Sequence, residues 1–556
     1  MGWYRDETFN TGYSFTTMPA ESPTLYAKWS INQYQINFMI NGGQTMNPQL
    51  VSYNQTITLS NPTKTGYTFV GWFQDSGLSE PFTLTQMPAN DVTVYAKWSI
   101  NAYTISFQSN GGTSVNNITQ DYGTSVSAPT PPTKTGYTFM GWYRDEAFNT
   151  GYSFTTMPAE SPTLYAKWIV EFNQINASGV ISSAVSSNGK PYFWGSNSYG
   201  QLALSSFSNF SSPSQPNFSF LNPNESIRSI ETNWGHSFVI TNQNRVFAFG
   251  WNASGALGTT YQLHQPNVPP TEIIFSGLNP GEFVSSISGS YRNSFAITNF
   301  SNIYGWGHNG SGQLGLGHQD DVYTPTKLNL NGLNNDETII SVSPGGNYSV
   351  LLTSEGRILT FGTNADSQLG NGQRTTAITN LPTFIVLPTL SVNEKIIGIE
   401  ASGSDHIFAL TNQNRLIGWG SNSGNQLGMD RPPNHISTPT IIFDSSTFGL
   451  SNSESITIVS SNDSSNFTFI LTSEGRVFAW GSSFSSFSIT LTRNPKLFSI
   501  SNLQLGEKIV SISVGNNHVI ALTNLGRIFT IGSNENGQLG TGNISSRSSF
   551  SYIEVR

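Results

Sequence analysis

The chain's 556 residues allow several domains, and its 12 Trp, 21 Tyr and 36 Phe exclude a disordered chain despite the many Ser and Asn. Only 10% of residues are charged, the net charge is −8 and no run of Lys or Arg occurs, which argues against nucleic-acid binding or an anionic membrane surface. Absence of cysteine removes disulfides, thiolate zinc sites and cysteine nucleophiles, and no apolar run of 18 residues offers a membrane-spanning helix.

The first 168 residues repeat with a period of about 70. Gly2-Trp3-Tyr4 returns as Gly71-Trp72-Phe73 and Gly141-Trp142-Tyr143; Tyr26-Ala27-Lys28-Trp29 returns as Tyr95-Ala96-Lys97-Trp98 and Tyr165-Ala166-Lys167-Trp168. Residues 2–29 and 141–168 differ only at Thr8 against Ala147, a sign of recent duplication. A full unit opens with an alternating run such as Tyr103–Phe107 and turns at Asn110-Gly111-Gly112, where positive φ is needed. It continues through Lys134-Thr135-Gly136-Tyr137-Thr138-Phe139 and reads as a small module of about four strands.

These ordered motifs resemble the Listeria–Bacteroides repeat, also called the internalin-type B repeat. The resemblance implies β-grasp-like modules that serve bacterial surface and secreted proteins as stalks or weak adhesion units. It divides the region into an incomplete copy at 1–29 and full copies at 30–98 and 99–168. The first copy lacks the opening strands, and Met1–Asp6 does not read as a signal peptide. The expectation is therefore an N-terminally truncated fragment of a longer protein.

From about residue 170 the period shortens to between about 50 and 60. Seven copies open at Glu171, Glu225, Glu282, Glu337, Glu394, Glu454 and Glu507, each with an isoleucine- or valine-containing strand. A hairpin follows, as in His236–Thr241, Asn242-Gln243-Asn244, Arg245–Gly250. Both of its strands are apolar almost throughout, as expected for sheets covered on two faces. An aromatic-Gly step comes next, such as Trp194-Gly195 or Trp306-Gly307, and then, in six copies, a Gly-Gln-Leu-Gly-like turn such as Gly537-Gln538-Leu539-Gly540. The sixth copy has Ser482–Ser488 there instead.

Residues 170–556 thus look like the repeats of the regulator of chromosome condensation family. The resemblance implies a seven-bladed β-propeller, so the whole chain is expected to be all-β, a propeller preceded by small β-grasp-like modules. Phe172–Asn176 and Phe550–Val555 supply a first and a last strand, so the ring needs no strand exchanged between its ends, with a circularly permuted closure left open.

Catalytic signals are weak. Gly310–Gly315 fits the dinucleotide fingerprint as a string, but no helical period follows it, so it reads as the repeat's own turn. His236, His406 and His518 sit at one repeat position and read as packing residues. His318-Gln319-Asp320-Asp321 reads as a solvated loop, and no metal, cofactor or catalytic residue is expected. What remains is the loop entering the second strand of each blade. These loops carry Trp234, Tyr291, Arg292, Asn347, Asp405, Asp463, Asn516 and Asn517, varied residues on a repeated frame, as a grafted recognition surface would be.

The expected function is a non-enzymatic, monomeric bacterial surface or secreted protein whose stalk repeats present a propeller to a macromolecule, foremost a protein. Three alternatives stand beside it. Eukaryotic members of the propeller family imply guanine-nucleotide exchange on a small GTPase, but no projecting wedge is evident here. Secreted propellers of the superfamily imply an enzyme inhibitor. A glycan binder would need clustered carboxylates or an aromatic platform, and the spacing singles out neither.

Overall fold

Alternating runs and continuous apolar runs demand different sheets, and the computed structural model shows both. It describes residues 1–260, 263–403, 405–429, 434–461, 467–481 and 494–555. The chain forms two compact units, Met1–Thr133 with Phe139–Lys167, and Lys134–Thr138 with Trp168–Arg556.

In the first unit the complete copies form four-stranded sheets with one parallel central pair. In the second copy Gln33–Met39 and Val92–Ile100 run parallel at the centre, flanked by Gln49–Ser52 and Tyr67–Phe73. Alternation sends Ile36, Val51, Trp72, Val94 and Ala96 into one small core. Lys64 and Tyr67 of the Lys-Thr-Gly-Tyr motif form a cation–π pair, the ammonium 4.2 Å from the ring centroid. The first copy has only three short strands, and its Trp3 is 47% exposed where Trp72 and Trp142 are 8% and 5% exposed.

The second unit is the seven-bladed propeller. Its blades span residues 172–214, 227–272, 284–327, 339–384, 396–443, 456–498 and 509–553, each four consecutive antiparallel strands. The sequential order means that blades 7 and 1 meet without sharing a sheet. The second and third strands are buried along their length, explaining their unbroken apolar character. The first strands surround a polar central cavity of about 310 Å³, lined by Asn176, Glu231, Ser288, Ser343, Glu400 and Ser513 among others.

The repeat motifs are the devices that hold neighbouring blades together. The carbonyl in the middle of the Gly-Gln-Leu-Gly-like turn accepts hydrogen bonds from the next blade. Trp194, Trp306, Trp419 and Trp480 donate their indole Nε1 to the carbonyls of Gln538, Ala256, Gln368 and Gln426 at 2.9, 2.9, 3.0 and 2.9 Å. Hydroxyls of Ser182, Ser294 and Thr468 join three of these at 2.9, 3.2 and 3.1 Å. Where the aromatic-Gly step is Phe249 or Phe361, the hydroxyls of Ser237 and Ser349 bond the carbonyls of Gln201 and Gln313, at 2.8 Å each. Gly315, inside the fingerprint-like string, has φ +70°, and a Cβ there would stand 2.9 Å from the Phe361 ring. That string is accordingly an inter-blade turn. Residues 482–488, where the sixth copy departs from the motif, lie outside the described residues.

The opening glutamates of blades 2 to 7 are braces within their own blades. Glu225, Glu337, Glu394, Glu454 and Glu507 pair with Arg245, Arg357, Arg415, Arg476 and Arg527, all at the end of the same hairpin. Their carboxylates also accept backbone N–H groups three residues back, as Glu507 does from Gln504 at 2.7 Å. In blade 3, Thr298, Asn302 and Asn279 stand in for arginine around Glu282. His236 and His518 are fully buried at the start of their second strands, and burial pulls their pKa from 6.5 down to about 3 and about 4.

Candidate functional site

Among the described residues, the loops from first to second strand emerge at the same end of their blades and share one face of the ring. The exit of the third strand is tied to the same loop: Trp251, His308, Thr363, Ser421 and Ser533 donate backbone N–H to the carbonyls of Gly235, Arg292, Asn347, Asp405 and Asn517 at 2.7–3.0 Å. In these five blades two chain segments therefore compose this surface.

Trp234, Tyr291 and Arg292, from the loops of blades 2 and 3, converge. Trp234 and Tyr291 lie 5.0 Å apart between ring centroids. Tyr199 and Trp251, from the third-strand exits of blades 1 and 2, complete the group. Their rings stack at 4.9 Å with an 11° tilt. Trp234 leans on both, 5.3 Å from Tyr199 and 5.8 Å from Trp251. The Arg292 guanidinium lies over Trp251 at 5.3 Å and over Tyr291 at 4.9 Å. Tyr291 is 40% exposed and the other four are half-buried. Four rings and one cation thus form a single solvent-facing cup, suited to apolar and charge contact rather than to proton transfer.

The remaining candidates stand apart from the cup. Asn347 and Asn517 are exposed on blades 4 and 7. Asn516 donates its backbone N–H to Gly179 at 2.8 Å, knitting blade 7 to blade 1. Asp405 on blade 5 accepts from Gln368 Nε2 at 3.1 Å. Burial, reinforced by the charge of Asp366, pushes its carboxyl up to about 6. Asp463 lies outside the described residues. Among the described residues no group of three His, Asp or Glu gathers to hold a metal ion, and no helix is long and apolar enough to cross a membrane.

Sequence reasoning missed Tyr199 and Trp251, although a signal was present. Trp251 follows the aromatic-Gly step, where other blades carry Ser196, His308, Thr363, Ser421 and Ser533. Tyr199 occupies the turn position held elsewhere by Ser254, Ser311, Asp366, Gly424 and Asn536. Two large aromatics at otherwise small or polar positions mark the face.

Comparison with known proteins agrees with this architecture. The RCC1-like domain model matches residues 140–447 and the regulator of chromosome condensation (RCC1) repeat matches 509–538. The Listeria-Bacteroides repeat domain matches 1–28, 34–97 and 103–167. A protein named "Putative membrane protein" from Evansella cellulosilytica is 39% identical over 182 residues, 32% of this chain and 27% of its own length. Internalin H of Listeria monocytogenes is 37% identical over 168 residues, 29% of this chain and 30% of its own. The chain spans less than a third of either relative. Among solved structures, yeast RCC1 (Prp20) bound to Kap60 superposes with a TM-score of 0.54 at 19% identity, covering 69% of this chain and 85% of that one.

Proposed function

The chain belongs to the RCC1-like domain family and carries Listeria-Bacteroides repeats ahead of its propeller, and from that premise we propose a non-enzymatic binding protein of the bacterial surface or secreted fraction. The repeats act as a stalk, and the propeller recognises a protein partner through the face that holds Trp234, Tyr291 and Arg292. The observation that carries this reading is the cup itself: aromatic rings and an arginine are the usual anchors of interfaces, and here they are assembled from three blades on an accessible surface. Support for a protein partner comes also from the yeast neighbour, which was solved with one. Surface placement is supported by the membrane-protein and internalin relatives of the repeats. The net charge of −8 disfavours nucleic acid as the partner. The protein works as a monomer, without a cofactor.

The test is affinity capture on the immobilised full chain from extracellular extract and from bacterial lysate. Specific enrichment of one protein is expected, and Trp234→Ala with Tyr291→Ala should abolish it while leaving the melting temperature unchanged. Capture that persists in this variant would remove the face from consideration.

A further inference from the structure

We infer that the cup receives a linear protein segment carrying a carboxylate beside a large apolar side chain; this rests on the reading that the face binds a macromolecule, and names the class of partner. The first argument is charge. The chain holds 32 acidic residues against 24 basic ones, and five propeller arginines are each claimed by a glutamate of their own blade. Arg292 is different. Among the described residues it meets the rings of Trp251 and Tyr291 and no carboxylate. The glutamate of its own blade, Glu282, is already satisfied by Thr298, Asn302 and Asn279. A cation held on rings inside an acidic protein is complementary to an incoming carboxylate.

Desolvation adds to this. Arg292 Nε is buried without a hydrogen-bond partner, so the base of the guanidinium already lies out of water. An opposite charge arriving at a partly desolvated cation is attracted more strongly than it would be in bulk solvent. One guanidinium, rather than a row of them, calls for a single carboxylate and not for a polyanion.

Shape selects a side chain over a sugar. Stacking a pyranose needs a free, flat ring face, but Trp251 already carries Tyr199 in parallel contact and Arg292 over its ring. Trp234 is tilted 50° to Trp251 and 54° to Tyr291, which walls the cup rather than flattening it. A Leu, Ile or Phe side chain can instead lie against the exposed edges of the tilted rings, above all Tyr291, which is 40% exposed. Mutual packing fixes the ring positions beforehand, so little conformational entropy is lost on binding.

A random heptapeptide library displayed on phage, selected on the immobilised full chain, tests this. Enriched sequences should place Asp or Glu next to Phe, Leu, Ile or Trp. Synthetic copies should lose affinity at least about tenfold when the acid is changed to its amide, and by as much against Arg292→Gln, with Arg292→Lys in between. An unchanged melting temperature in both variants separates this effect from misfolding. Enrichment indifferent to charge, or full affinity in Arg292→Gln, overturns the inference. So does the absence of peptide enrichment, or self-association in sedimentation that Arg292→Gln abolishes, which would assign the cup to a second copy. A glycan array bound through Trp251 would overturn it in favour of sugar. If peptides fail while protein capture still depends on Trp234 and Tyr291, the binding face stands and only the acidic segment falls.

Discussion

Trp419 and Trp194 are both fully buried, and each donates its indole N–H to the turn of the preceding blade, but their carbonyl partners differ. The Gln538 carbonyl has a second donor in Ser182, whereas the blade that carries Trp419 offers Ile407 where a hydroxyl would stand. Replacing either Trp by Phe removes nearly the same volume. Only in Trp419→Phe does a buried carbonyl lose all side-chain donation from its neighbour. Chemical denaturation should therefore show Trp419→Phe to be the more destabilising by about 1–2 kcal/mol. Equal losses would mean that the indole bond contributes nothing beyond packing.

At the scale of the blade, the buried groups that close each hairpin make stability depend on acid. His236 and His518 are held neutral by burial, with pKa values of about 3 and about 4 against 6.5 in the open chain. On acidification the unfolded chain takes up these protons first, so their stabilisation is complete above pH 6.5 and drains as pH falls toward 4 and 3. Glu337, braced chiefly by Arg357, and Glu282 and Glu394, whose hydrogen bonds outweigh the opposing burial, are held down to about 2. Their contribution is complete above about 4.5 and drains toward 2. Both effects have one sign, so the melting temperature should fall from pH 7 to pH 3. His518→Asn, which installs the residue blade 3 carries as Asn293, should flatten the segment between pH 6.5 and 4. An unaltered slope in that variant would dismiss His518 as a contributor.

Blades and modules were legible in the sequence because Gly, aromatic and Glu positions recur at a fixed period, and a sheet buried on both faces is written as an unbroken apolar run. The partners of those residues were not legible. Glu394 and Arg415 stand 21 positions apart and meet only after the hairpin folds back, and the Gln368 carbonyl finds Trp419 across a blade boundary 51 positions on. Likewise Trp234, Tyr291 and Arg292 could be chosen from a single loop position, but Tyr199 and Trp251 arrive through a different connection. Such convergence is a property of the ring, not of any one repeat.

For the molecule as a whole, sequential blades make the contact between blade 7 and blade 1 one interface among seven. Like the contacts between blades 2 and 3 and between blades 5 and 6, it has an indole and a hydroxyl bond to one turn carbonyl, here at 2.9 Å each, and a shared cluster of Phe172, Ile175, Ile520 and Ile528. Calorimetry should accordingly resolve one transition for the entire propeller, distinct from that of the repeats; a staircase of propeller transitions would contradict equivalence among the interfaces. In an open row of blades the terminal one can peel away after a single rupture. In a closed circle the first rupture liberates nothing, since every blade is still gripped on at least one side and only a second break frees a piece. The circle thereby converts local fraying into an all-or-none event, and a protease would find a cleavable blade only after paying for two ruptures at once.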